Sequence, residues 1–399
     1  MRFKSILACF ALPLCFFGCG GGENAGPAAE NSASTAPKNE TSTAVVEVVD
    51  GVRHVHNTGP KWRGGKGLRL DFVRKFGEFF KPFDLCLDSE GNIYITESGN
   101  SRVLKYSPEG ALLTSFGRHG QGPGEFQIMG GVAVDDEGRL YITDRTTNRL
   151  KVLSPEGEEL ANLSLGNITG GIERLPSGEF LVSKALSYDA GSIPGLVRVM
   201  DGTGATVRSM GRQELRDDYD EYRYFNRTAF AVDRQGRVYL AFSTRNKIER
   251  YDPEGNLELV IDRPLNFEIS KSVLQVKRRI GPREMEIPQA NFVSKSLEVD
   301  DHGRIWVLSY DRQLTFEEQP LIMHIFGEGP GLEATKTLKT SDDAKTDAFV
   351  IHVFDLSGVF LGKIPLAHFA DRIRIFRDRL YILELSNEMC LYEYRIIEP

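Results

Sequence analysis

Short apolar runs separated by tight polar turns recur along most of this chain. Six stretches share one pattern: an apolar end, a polar turn that in five of them carries Gly, and a second apolar run. They read LDSEGNIYI at Leu87–Ile95, VDDEGRLYI at Val134–Ile142, RLPSGEFLV at Arg174–Val182, VDRQGRVYL at Val232–Leu240, VDDHGRIWV at Val299–Val307 and a shortened IFRDRLYIL at Ile375–Leu383. Each predicts a strand, a tight reversal and a second strand. The first unit resolves further into strands a to d, at Pro82–Leu87, Asn92–Thr96, Arg102–Tyr106 and Ala111–Phe116. The second and fourth units repeat that plan, with later turns at Ser154–Gly157, Asp252–Gly255 and Asp355–Gly358.

Units of this size cannot bury their apolar faces singly and have to stack. Six antiparallel units predict an all-β fold, a six-bladed β-propeller of four-stranded blades closed into a ring. The last unit offers only three strands, Arg372–Phe376, Leu380–Leu385 and Leu391–Ile396. Leu70–Gly77 resembles the d strands that end Ser115-Phe116-Gly117 and Ser209-Met210-Gly211, so it is expected to fill the outer place of blade 6 and remove an exposed edge. The propeller then spans 68–399, and 44–67 is an extension whose strand, Ala44–Val55, has no place in this count.

The stretches Ile93–Tyr106 (IYITESGNSRVLKY) and Leu140–Leu153 (LYITDRTTNRLKVL), with the glycine-rich link Phe116–Phe126 (FGRHGQGPGEF), resemble the NHL-repeat family of six-bladed propellers. The resemblance is strongest in blades 1, 2 and 4. By that resemblance the Asn100/Arg102 and Asn148/Arg149 pairs belong to a structural b–c turn. There Asn tolerates left-handed backbone, Arg bonds carbonyls of the next blade, and Glu97 and Asp144 accept hydrogen bonds. Peptidylglycine lyases of similar architecture hold zinc with histidines from different blades. The seven histidines here do not recur at equivalent places, so neither a catalytic metal nor a cofactor is expected. His54 and His56, two apart on one strand face, are a possible metal pair outside the ring. Lactonase-type relatives use channel carboxylates, which Asp84 and Asp371 imitate without a clear set of partners.

Charge and the N-terminal segment narrow the setting. The formal net charge is −7, with basic residues scattered among acids, which argues against a nucleic-acid partner. Arg2 and Lys4 precede an apolar run, Ile6–Phe17, too short to span a bilayer. This is the layout of a secretory signal over 1–18. Its end, Phe16-Phe17-Gly18-Cys19, resembles a bacterial lipoprotein box and makes Cys19 the lipidation candidate. Residues 19–43 are rich in Gly, Ala, Ser, Asn, Thr and Pro and predict a flexible tether. The expected location is a bacterial cell envelope, with the membrane engaged only through the lipid. Cys86 and Cys390 read as buried thiols.

Chain direction alternates in such blades, so b–c turns and d-to-a links share one face. The long connections all fall there: 184–195, 213–225, 262–292 and 311–348. That face is the expected binding surface for a protein, peptide or envelope glycan. The competing class is a hydrolase or lyase at the channel mouth. Candidate contacts are His119 in the first link, Asp217, Tyr219, Tyr222 and Tyr224 in an acidic, tyrosine-rich loop, and Asp84, Arg227, Lys295, His368 and Asp371 at or near the mouth. Ser270–Pro288, with its basic run Lys277–Arg283, reads partly as a short helix able to answer the acidic loop. Thr340–Thr346 reads as a polar, mobile stretch.

Overall fold

The computed structural model describes residues 43–62, 67–166, 168–184, 195–280, 283–315, 318–319, 321–326, 333–338 and 345–399. The signal segment, Cys19 and the tether through residue 42 lie outside the described residues. So do 185–194 in the blade 3 b–c link and 340–344 in the blade 5 insertion.

Six antiparallel sheets follow one another around a ring. Blade 1 is Pro82–Leu87, Ile93–Glu97, Arg102–Tyr106 and Leu112–Phe116. Blade 2 is Met129–Val134, Leu140–Asp144, Arg149–Leu153 and Glu159–Ser164. Blade 3 is Ile168–Arg174, Phe180–Lys184, Val197–Met200 and Thr206–Met210. Blade 4 is Thr228–Val232, Val238–Phe242, Ile248–Tyr251 and Leu257–Asp262. Blade 5 is Ser294–Val299, Ile305–Tyr310, Phe349–Phe354 and Phe360–Pro365. Blade 6 takes Arg372–Phe376, Arg379–Leu383 and Leu391–Ile397 from the end of the chain. Its outer strand is Arg69–Phe76, paired antiparallel from Arg69↔Ile397 to Phe76↔Leu391.

The recurring turn explains why these segments reverse where they do. Asp233 accepts the N–H groups of Gln235 and Arg237 at 2.9 and 3.0 Å, closing the a–b turn. The same carboxylate takes Arg237 Nε at 2.6 Å and the Tyr239 hydroxyl at 2.9 Å, which anchors strand b. Asp135 repeats the set with Arg139 and Tyr141, and Asp300 repeats it with Arg304 and the Trp306 indole. Apolar clusters then fill the spaces between successive blades, one at each of the six junctions. Sheet faces that would be wet in an isolated blade are buried there, which is the main stabilising contribution.

Three segments differ from expectation. Ala44–Val55 is not one strand but a hairpin, Ala44–Val49 and Val52–Asn57, turned at Asp50-Gly51 with φ of 51° and 81°. Its second strand adds in parallel to Leu257–Asp262 and makes blade 4 six-stranded. The basic stretch is a hairpin too, Leu274–Ile280 with Arg283–Gln289, rather than a helix. The tyrosine-rich loop is instead a short helix, Tyr219–Phe225, capped by Asp218, which accepts the Glu221 N–H at 2.9 Å. The blade 5 insertion contains a further hairpin, Leu321–Phe326 with Glu333–Leu338.

Candidate functional site

Strands a contact one another in sequence around the central channel. Four of them begin with a register irregularity at the same level, Pro82/Asp84, Met129/Val132, Ile168/Ile172 and Ser294/Ser296. Bulges of this kind bend the strand and re-aim its side chains. The mouth they form lies on the face that carries the long links.

Three arginines come together at this mouth. Arg145 follows strand b of blade 2, Arg227 precedes strand a of blade 4, and Arg372 opens strand a of blade 6. Among the described residues none of the three has a carboxylate partner. Arg145 and Arg372 both lie over the Phe83 ring of blade 1, at 4.9 and 5.7 Å from its centroid. Cation–π contact of this kind orients guanidinium groups without neutralising them. Solvent reaches Arg145 and Arg227 through the opening. Even so, enclosure by the rim lowers the pKa of both from the ordinary arginine value. Crowding adds to this: Arg227 and Arg372 act on Arg145, and Arg372 and Arg223 act on Arg227. Lys295 differs, because it is paired with Asp371 at 2.5 Å. The Asp371 carboxylate also accepts the Leu385 N–H.

Deeper in the channel the charge pattern inverts. Arg374 of blade 6 reaches Glu173 of blade 3 at 2.6 Å, Glu298 of blade 5 at 3.4 Å and Asp84 of blade 1 at 3.5 Å. It also donates Nε to the Leu85 carbonyl at 3.0 Å. Blade 3 stands opposite blade 6 in a ring of six, so this side chain crosses the channel. Burial pushes the Glu173 carboxyl up to about 8 and that of Glu298 up to about 7, against the opposing pull of Arg374. The arrangement is therefore a cationic mouth above a closed, acid-rich plug.

Residues 79–159 match the DUF5128 family, described as a six-bladed β-propeller. Solved structures agree on the fold. A DUF4221 family member from Bacteroides vulgatus superposes with a TM-score of 0.53 at 11% identity, covering 84% of this chain and 99% of that one. A Bacteroides fragilis protein described as exported gives 0.53 at 12% identity, covering 85% and 98%. No curated protein matches the sequence.

The residues singled out from sequence fall into three places. Asp84, Arg227, Lys295 and Asp371 are at the mouth or just inside it, where Asp84 meets Arg374 and Lys295 and Asp371 satisfy each other. His368 is not there. It is buried, stacked on Tyr392 with ring centroids 3.7 Å apart and bonded to the Tyr394 hydroxyl at 2.7 Å, so the residues just after it turn inward and it does not. The helix and first link hold the rest. Tyr222 is buried with its hydroxyl on Gln213, and the Tyr224 hydroxyl donates to the Pro288 carbonyl at 2.9 Å, so both brace the link against its neighbours. Of the three tyrosines only Tyr219 is exposed. Asp217 and His119 are exposed.

The acidic helix and second hairpin do meet, through Gln275 to Asp220 at 3.2 Å and the Val273 N–H to Glu221 at 3.2 Å. The b–c turn arginines bond within their own blades, Arg102 to Glu97 and Arg149 to the Asn162 carbonyl. Cys86 and Cys390 are free and buried. A depression of about 390 Å³ opens on the opposite face at the closure seam, where Arg74 and Arg379 are both paired with Glu393. Sequence reasoning missed Arg145 and Arg372. The signal for Arg145 was a long cation directly after Asp144, where blade 1 has Ser98 after Glu97.

Proposed function

We propose that this chain is an exported, lipid-anchored propeller of the NHL type that serves as a binding scaffold in a bacterial envelope. Its ligand at the channel mouth is an acidic glycan bearing carboxylate or sulfate groups. The observation that carries this reading is the convergence of Arg145, Arg227 and Arg372, from alternate blades, with no carboxylate partner among the described residues. Planar guanidinium groups grip carboxylates and sulfates in two-point fashion, and the Phe83 ring beneath Arg145 and Arg372 holds two of them in place. The signal segment and Cys19 box support export and anchoring, and the similarity to a protein described as exported is in keeping with it.

Calorimetric titration with oligogalacturonate, with a neutral oligosaccharide and with poly-glutamate tests the reading. We expect oligogalacturonate to bind, with affinity falling as salt rises, and R227A and the R145A/R372A pair each to lose at least tenfold. Equal binding of the neutral sugar, or no effect of these substitutions, overturns it. Tighter binding of poly-glutamate moves the assignment to an acidic peptide, and shortened sugar products move it to a lyase or hydrolase.

A further inference from the structure

The N-terminal hairpin carries a second cluster that the channel mouth does not use. Asp50-Gly51 closes it with both residues at positive φ, the two-residue turn that fixes register tightly. That register places Glu47 directly opposite His54, and His56 two residues further along the same face. One ligand atom from each of Glu47, His54 and His56 lies within 4.8 Å of the others. The third element is Asp262 of blade 4, opposite His56 in the parallel pairing. Its carboxylate is 2.6 Å from His56 Nδ1, while its other oxygen accepts the Asn57 N–H at 3.2 Å. A hydrogen on Nδ1 leaves the Nε2 lone pair directed at the cluster, where Glu47 Oε1 is 3.2 Å away.

We propose that Glu47, His54 and His56 bind a divalent first-row transition cation of the zinc type, with Asp262 as the positioning residue for His56. Two imidazoles and a carboxylate on one face supply three protein ligands and leave outward positions to water. A carboxylate behind a ligating histidine is the usual arrangement for fixing its ring and tautomer. Imidazole donors favour zinc, nickel or copper over magnesium or calcium. At metal–donor distances of about 2.1 Å the donors have to close on one another slightly, which partly exposed side chains on a strand face can do. Bound cation would tie both strands of the hairpin to blade 4.

The test is titration of the full chain with Zn²⁺ against a chromophoric indicator. One equivalent is expected to bind, undisturbed by excess Mg²⁺. H54A, H56A and E47Q each lose at least tenfold, D262N loses roughly 10- to 100-fold, and H119A is unchanged. Co²⁺ bound in place of Zn²⁺ gives visible absorption that H54A abolishes, with circular dichroism verifying that each variant is folded. Absence of saturable binding, unchanged affinity in an H54A/H56A double variant, or loss in H119A overturns the proposal and leaves His56 as an imidazole bridging two carboxylates.

Discussion

Asp300 joins four partners at one carboxylate: the His302 and Arg304 N–H groups, Arg304 Nε and the Trp306 indole N–H at 2.8 Å. Trp306 is fully buried. Replacing Asp300 with Ala leaves that N–H without an acceptor and opens the turn. A cost of about 1–3 kcal/mol is expected, read as a lower urea midpoint with Trp306 fluorescence as the probe. D300N keeps one carbonyl oxygen for the turn and is expected to lose less. The motif was legible because its chemistry is local: Asp, Gly and an aromatic at fixed offsets describe one closed set of hydrogen bonds. His368 was not legible in this way. Its place depends on Tyr392 and Tyr394, which meet it only when blade 6 is assembled.

At the scale of elements, the segment after the hairpin is a strap. Asn57 Oδ1 accepts the Phe360 N–H at 2.7 Å, and its amide donates to the carbonyls of Asp262 and Gly358. The chain then runs beside strand d of blade 5, with Lys61 N–H on the Phe360 carbonyl and Trp62 N–H on that of Leu361. A Cβ on Gly362 would lie 2.2 Å from the Trp62 ring, so glycine is what lets the indole lie flat there. N57A is expected to cost about 1–3 kcal/mol, from three lost bonds at a buried position. Limited proteolysis is expected to cut residues 44–62 faster in N57A than in the unsubstituted protein. The closing strand was readable because its Phe-Gly ending repeats other d strands. The N-terminal hairpin was missed although Asp50-Gly51 is a strong hairpin turn, and without it Glu47 could not be set opposite His54. The hairpin at Leu274–Gln289 also has period-two apolar residues, Leu274 and Val276, then Met285 and Ile287, split by Gly281-Pro282. Its run of cations concealed that alternation.

For the whole molecule, Arg374 and its three carboxylates link blades 1, 3, 5 and 6 across the channel. Glu173 ionises near 4.5 when unfolded and at about 8 when folded. Between those values the folded state holds the extra proton, so stability is greatest below about 4.5 and declines as pH rises to about 8. Urea unfolding at pH 5 and pH 8 is expected to show a smaller decline in E173Q than in the unsubstituted protein. An equal decline would mean that Glu173 is ionised in the folded state across this range. The strap has a mechanical consequence as well. Tension arriving from the N-terminal side meets the pairing of Ala44–Val49 on Val52–Asn57 first, then the parallel pairing on blade 4, then the Trp62 clasp on blade 5, and only then the seam in blade 6. The join that keeps the disc shut is thereby sheltered from load, and a pull strong enough to strip the hairpin would still leave the ring whole.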